Sequence, residues 1–258
     1  MPQGNLNIPS VRTQVSEQEW ETRVNLAAAY RLVELYGMSD LTANHISARV
    51  PGEDGHFLIN AYGMLYEEIT ASSLIKIDLD GNVIWKPDLG YGVNRAGFVI
   101  HSAVHAARHD VDCVLHTHTP AGMAVSSMEA GLMMVTQTAT RFANIGYHEF
   151  EGVAVELDER VRLVKDLGDS DALILRNHGL ITCGRSIAEA FAIMHRLELA
   201  CRVQVMMLSG GTKLHMLSDE LIQQTHRQFK GGAVRPTHDF EWPALLRQLD
   251  RRDASYRE

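Results

Sequence analysis

Several features that would each identify a class of protein are absent from this sequence. It has no run of about 18 uninterrupted apolar residues, so no segment is expected to cross a membrane. The first residues, Met-Pro-Gln-Gly-Asn, show no charged region followed by an apolar one, so no secretory signal peptide is predicted. The 24 Lys and Arg are outnumbered by 32 Asp and Glu, a net charge of −8, which argues against nucleic acid or an anionic membrane as the main partner.

Cysteine and glycine-rich motifs are also scarce. The three cysteines, Cys113, Cys183 and Cys201, leave one thiol unpaired in any disulfide scheme, and each lies within an apolar run. Reduced, buried thiols are the simpler interpretation, and they predict a cytoplasmic protein. No glycine-rich strand–turn–helix, Walker-type loop or Gly-x-Ser-x-Gly motif is found, which argues against a dinucleotide fold and a serine-hydrolase elbow.

The composition is that of an ordinary globular protein, and predicted helices alternate with predicted strands along the chain. The chain has 258 residues, of which 45% are hydrophobic and 22% charged, enough for one large domain or two small ones. Helices are predicted from Ser16 to Gly37, over 97–109, from Ser186 to about Ser209 and over 219–229. Short strands are predicted over 46–50, 57–60, 75–79, 83–85, 112–118, 172–176 and 180–183. This order predicts a mixed α/β sheet with helices on both faces.

Three histidines carry the strongest chemical signal. His116 and His118 lie in Leu115-His-Thr-His118, where a strand would project both side chains from one face, about 6.6–6.8 Å apart along the chain. His178 lies beside a glycine at the turn of another apolar run and could supply a third ligand. Three protein ligands with an open fourth position are typical of a catalytic zinc site. Spacing alone leaves the alternative open, because a chain with 13 histidines readily contains a His-x-His pair without a metal.

Four segments together resemble the class II aldolase/adducin family over about residues 20–230. They are Leu41-Thr-Ala-Asn44-His-Ile-Ser47, Asn94-Arg-Ala-Gly-Phe-Val-Ile-His101, His116-Thr-His118-Thr-Pro and Arg176-Asn-His178-Gly. The resemblance implies a single αβα domain around a mostly antiparallel sheet, and a homotetramer with sites at subunit interfaces. It also implies a divalent metal, usually Zn²⁺, held by His116, His118 and His178. The predicted organisation is a flexible arm over 1–15, the family domain over 16–232, and an extension over 233–258 that could pack on a neighbouring subunit.

One position departs from the aldolases of that family. Those enzymes move a proton with a glutamate in a Ser-Ser-Glu segment, four residues before the position of His101. Here Gly97 stands at that position, preceded by Arg95 and Ala96. Loss of a general base typically removes about 10²–10⁴-fold of rate. This segment is similar to the adducin head domains, which are regarded as non-enzymatic.

The remaining candidate residues have both a functional and a structural interpretation. His101 matches a family position near the metal and is the candidate catalytic residue, although helix packing would also account for it. The resemblance implies an anion-binding role for Asn44 and Ser47, which could instead satisfy a strand end through hydrogen bonds. Arg95 could hold a substrate carboxylate or serve as a surface ion-pair partner.

Two function classes follow from these residues. In the first, the protein is a metal-dependent lyase that acts on a small hydroxy-carbonyl or hydroxy-acid compound through a metal-stabilised enolate. In the second, it is a non-catalytic, adducin-like oligomeric module that binds metal without turnover. A scaffold without metal is a third interpretation. Zinc is the first choice for three imidazoles, while manganese, cobalt, nickel or iron would also suit them.

Overall fold

The computed structural model describes residues 6, 8–152, 158–231 and 238–258. Its strands are β1 His45–Arg49, β2 His56–Ile59, β3 Ile75–Asp78, β4 Val83–Trp85, β5 Cys113–Thr117, β6 Gly146–His148, β7 Ala172–Leu175 and β8 Gly179–Gly184. Its α-helices are α1 Glu17–Leu35, α2 Arg95–Ala107, α3 Pro120–Ser126, α4 Glu159–Leu167, α5 Ile187–Ser209, α6 Asp219–Lys230 and α7 His238–Asp250.

The strands form one 8-stranded sheet in the order β4-β3-β2-β1-β5-β8-β7-β6. Neighbouring strands are antiparallel except for β6 and β7, which pair in parallel. The predicted mixed sheet, mostly antiparallel and with helices on both faces, is therefore confirmed. The parallel pair was not predicted, and neither were the helices α4 and α7 or the strand β6, which has only three residues.

Alternation along the central strand β5 separates two hydrophobic cores. Cys113 and Leu115 belong to the larger core, which includes residues of α1 and α5 such as Leu32 and Leu197. Val114, between them, belongs to the smaller core with Ile100 of α2 and with residues of α4. Since successive strand side chains point to opposite faces, His116 lies on the same face as Val114, below α2. The sheet thereby fixes which helix covers the histidines.

Both ends of the described chain pack on this domain. Val11 is fully buried, and its backbone N–H donates to Ser72 Oγ at 3.2 Å, so packed structure begins before residue 16, inside the stretch predicted as a flexible arm. In α7, Trp242 Nε1 donates to Asn25 Oδ1 at 2.8 Å. The predicted extension thus contacts α1 of its own chain, while its contact with a neighbouring subunit stays a prediction.

The helices and the cysteine thiols were also the subject of predictions from the sequence. No helix in the described parts of the chain combines the length and the apolar character needed to cross a membrane. Cys113, Cys183 and Cys201 are buried and unpaired, and burial raises the pKa of the Cys183 thiol to about 12. These thiols are therefore packing residues that stay protonated near neutral pH.

Candidate metal centre

The antiparallel pairing of β5 and β8 brings the three predicted histidines together. His116 is the fourth residue of β5, His118 follows the strand, and Thr117 is paired with Leu180 of β8. His178 immediately precedes β8 and so lies at the same end of the pair. Asn177 supplies the required turn with a left-handed φ of 56°, which asparagine tolerates better than most residues. A Cβ added at Gly179 would lie 2.4 Å from the backbone oxygen of Thr117, so the strands approach this closely only because residue 179 has no side chain.

The Nε2 atoms of the three imidazoles converge on one point. His116 Nε2 is 2.8 Å from His118 Nε2, which in turn is 2.9 Å from His178 Nε2. The three ligand atoms all lie within 4.8 Å of one another. Among the described residues no carboxylate oxygen completes this group, so the protein side supplies three donors. We call His116, His118 and His178 the histidine triad.

Hydrogen bonds behind the rings fix which nitrogen faces the centre. His116 Nδ1 donates to the backbone oxygen of Leu180 at 2.9 Å, and His118 Nδ1 donates to Asp40 Oδ2 at 3.1 Å. In the neutral ring, a hydrogen on Nδ1 leaves a lone pair on Nε2. Lone pairs that face one another at these distances repel, and a cation between them removes the repulsion. The donor set therefore fits a divalent metal, with Asp40 in the supporting role that carboxylates take behind metal-bound histidines.

The environment keeps two triad histidines neutral near pH 7. Burial holds the pKa of His116 well below its usual range, and the neighbouring His45, His118 and His178 lower it further. Burial together with His118 lowers the pKa of His178 to about 4. Neutral imidazole is the form that ligates metal ions.

A layer of polar side chains fills the space between the sheet and α2. His45 Nδ1 lies 2.9 Å from His101 Nε2, and Ser47 Oγ lies 2.6 Å from His101 Nδ1 and 2.8 Å from His105 Nε2. All four residues are buried. Burial holds the pKa of His45 and of His101 well below the usual range. We call His45, Ser47, His101 and His105 the buried histidine layer.

The other predicted site residues are distributed around this layer. Asn44 is 1% exposed, and neither of its side-chain polar atoms has a hydrogen-bond partner among the described residues. Ser47 is engaged by two histidines, and Arg95 is an exposed residue at the start of α2. Their substrate-binding roles stay predictions. An unpartnered buried amide is unusual in a folded protein, so Asn44 is the residue whose surroundings best suit a ligand.

Two residues of the site were missed from the sequence, His45 and Asp40. His45 could have been found, because in Asn44-His-Ile-Ser47 strand alternation puts His45 and Ser47 on one face. No sequence pattern marks Asp40, which lies in the loop before β1 and meets a histidine 78 residues away.

The hydrogen bond from His118 gives a first prediction. We expect Asp40→Asn to weaken binding of Zn²⁺ by about 10–100-fold, because the carboxylate that orients the ring and raises its basicity is lost. Competition with a chromophoric chelator measures the affinity. Asp54→Asn, which removes another exposed carboxylate, is the matched control, and equal affinities for the two variants would contradict a role for Asp40.

Known proteins share the sequence pattern and the fold of this chain. The family model described as "Class II Aldolase and Adducin N-terminal domain" matches residues 24–205. The crystal structure of an aldolase II superfamily protein from Pseudomonas syringae superimposes with a TM-score of 0.92 at 50% identity, covering 97% of this chain and 100% of that one. An L-fuculose 1-phosphate aldolase from Glaciozyma antarctica gives a TM-score of 0.81 at 28% identity, covering 98% and 96%.

The similarity extends to an adducin. Mouse alpha-adducin is 48% identical over 240 residues, which are 88% of this chain but 33% of that protein. Aldolases and adducins thus both match along most of this chain, and the family model covers all eight described strands of the sheet and the triad. The chain therefore belongs to the class II aldolase and adducin N-terminal domain family.

Proposed function

We propose that the protein is a metal-dependent lyase that acts on a small hydroxy-carbonyl or hydroxy-acid compound. His116, His118 and His178 would hold one divalent metal, with Zn²⁺ as the first choice. The observation that carries this proposal is the convergence of three imidazoles, with His118 Nε2 2.8 Å from His116 Nε2 and 2.9 Å from His178 Nε2. Three imidazole donors without a fourth protein ligand are typical of catalytic sites, since structural zinc sites are normally closed by the protein.

The chemistry divides between the metal and the chain. When bound, a divalent cation supplies a Lewis acid that stabilises negative charge developing on a substrate carbonyl oxygen. Asn44, buried with its amide unpartnered in the described part of the chain, would bind a polar group of the substrate, together with Ser47. Arg95, exposed at the start of α2, would hold a substrate carboxylate or phosphate.

His101 is the predicted proton-transfer residue, and its contacts restrict that role. Both of its ring nitrogens are engaged, one by His45 and one by Ser47. A proton held at His101 would therefore pass to one of these neighbours before it reached a substrate. His101 acts in this proposal through the buried histidine layer and not by direct contact.

The absence of a side chain at Gly97 favours a second candidate, a non-catalytic, adducin-like module that binds metal. Gly97 is the third residue of α2 and lacks the carboxylate that the resemblance assigns to this position. The similarity to mouse alpha-adducin supports this alternative.

Metal content and turnover, measured together, separate the two candidates. The purified protein is analysed for metal and assayed against a panel of sugar phosphates and hydroxy acids, before and after chelation. The lyase proposal expects about one metal per chain and a turnover that is lost on chelation. Metal without turnover would support the binding module, and no metal at a saturating Zn²⁺ concentration would overturn both.

The proposal includes the assembly and the location of the protein. Family resemblance supports a homotetramer with sites at subunit interfaces, and three free, buried thiols are consistent with the cytoplasm. Light scattering on the purified protein tests the assembly, with four times the mass of the 28.7 kDa chain as the expected result.

A further inference from the structure

Gly97 occupies a position that normally disfavours glycine. It is buried inside α2, where glycine is less favourable than alanine by roughly 0.5–1 kcal/mol. Its backbone does not adopt the left-handed conformation that would call for glycine, since its φ is not positive. Glycine at this position is therefore explained by a lack of space for a side chain.

The space beside Gly97 is filled by the His45 ring. A Cβ built on Gly97 would lie 2.4 Å from His45 Cδ2, 2.7 Å from Cγ and 2.8 Å from Nε2. Separations under 3 Å essentially never occur for a real Cβ, and these atoms belong to a rigid ring. A side chain at 97 and the imidazole of His45 therefore exclude each other.

Other contacts prevent the His45 ring from moving aside. His45 lies in β1 directly opposite His116 of β5, and the two rings stack with centroids 5.1 Å apart and planes inclined by 27°. On its other side, Nδ1 is hydrogen-bonded to His101, which Ser47 holds in turn. The His45 ring is thus held between a triad histidine and α2, so its displacement would require His116 or His101 to move as well.

We propose that His45 is a positioning residue of the histidine triad, that it takes the volume of the side chain absent from residue 97, and that glycine at 97 is required to admit it. His45 acts through His116, whose ring it supports, and through His101. The effect on metal binding rests on the proposed function, whereas the exclusion between positions 45 and 97 does not.

The exclusion has a direct consequence for restoring a carboxylate at this position. Gly97→Glu by itself introduces a side chain into the volume of the His45 ring. We expect this variant to be destabilised and to bind metal poorly, so its inactivity would carry no information about the reaction. The informative protein is the double variant His45→Ala/Gly97→Glu, in which the volume of the imidazole is available to the carboxylate.

A double-mutant cycle on the full chain tests the exclusion. Wild type, Gly97→Ala, His45→Ala and the double alanine variant are compared by thermal unfolding without metal. Gly97→Ala should lower Tm by about 2–10 °C in wild type, the range expected for overpacking. In the His45→Ala background it should leave Tm unchanged or raise it, because alanine is the better helix residue. Equal effects in the two backgrounds would overturn the exclusion. Gly92→Ala, whose added Cβ has no atom of a described residue within 4 Å, is the control.

Metal binding tests the positioning role with the same proteins. We expect His45→Ala to weaken Co²⁺ and Zn²⁺ binding by about 10–100-fold, as for other residues that orient ligands, and to change the visible spectrum of bound Co²⁺. His45→Phe retains a ring and loses the hydrogen bond to His101, and so separates volume from hydrogen bonding. Unchanged affinity and spectrum in both variants would overturn the positioning role. A wild type that binds no metal would instead overturn the proposed function and leave the thermal cycle interpretable.

Discussion

Alanine in place of His178 is expected to weaken Zn²⁺ binding by more than about 100-fold. The triad offers three nitrogen donors, and loss of one ligand should exceed the 10–100-fold effect typical of losing a residue that only orients a ligand. His178 is suited to this test, because it lies in the turn before β8 and not inside a strand. The affinity is measured by competition with a chromophoric chelator.

Removal of the metal should also lower the thermal stability of wild type, and not that of His178→Ala. A ligand present at about 100 times its dissociation constant stabilises the folded state by about 2.7 kcal/mol. For a chain of this size, chelation should then lower Tm by about 5–10 °C. His109→Ala, at an exposed histidine, is the control and should behave as wild type. If wild type and His178→Ala show the same Tm with and without Zn²⁺, the triad is not a metal site.

Acid is expected to destabilise the metal-free protein, with a large contribution from His105. Burial, with Arg49 nearby, lowers the pKa of His105 to about 3 from an ordinary value of 6.5. Since the unfolded chain then binds more protons than the folded one, the free energy of unfolding falls as the pH drops below about 6.5, at about 1.4 kcal/mol per pH unit for one histidine. This loss ends near pH 3, after about 5 kcal/mol, a large part of the usual stability of a domain.

Substitution isolates this contribution from those of the other buried histidines. We expect the free energy of unfolding of His105→Gln to fall less than that of wild type between pH 7 and pH 5, by about 2 kcal/mol. Urea unfolding at the two pH values measures the difference. The control is His109→Gln, whose exposed side chain should leave the pH dependence unchanged. If the free energy of unfolding falls equally in His105→Gln and in wild type, His105 takes up a proton in the folded protein as it does in the unfolded chain. Burial would then not lower its pKa.

The predictable part of the fold depended on local patterns. Capping residues such as Ser16 and Ser186 mark helix starts that the structure reproduces, with both hydroxyls accepting a backbone N–H three residues later. Strand alternation along 113–117 was sufficient to assign opposite faces to neighbouring residues. The parallel pairing of β6 with β7 was not predictable in this way, because it depends on contacts between distant segments and leaves little periodicity in three residues.

The candidate site was likewise predictable where it depends on one strand, and not where it depends on contacts between distant segments. The His-x-His spacing, with the family resemblance, identified the histidines that the structure brings together, since two of them are held at fixed separation by one strand. His45, His101 and Ser47 could be recognised as polar residues on elements, but their mutual contacts span more than 50 residues of sequence. The missing carboxylate at Gly97 was visible in the sequence, whereas the ring that fills its place was not.

The class of fold, the three candidate metal ligands and the absence of a side chain at residue 97 could all be recognised from the sequence and its family resemblance. Each of these depends on the spacing of residues along one element or on a motif of a few residues. Three features became visible only in the folded protein: His118 is hydrogen-bonded to Asp40, His45 lies against Gly97, and Asn44 is buried with no side-chain partner among the described residues. These are properties of packing between segments far apart in the chain, and they follow from how β1, β5 and α2 are brought together by the sheet and the two cores.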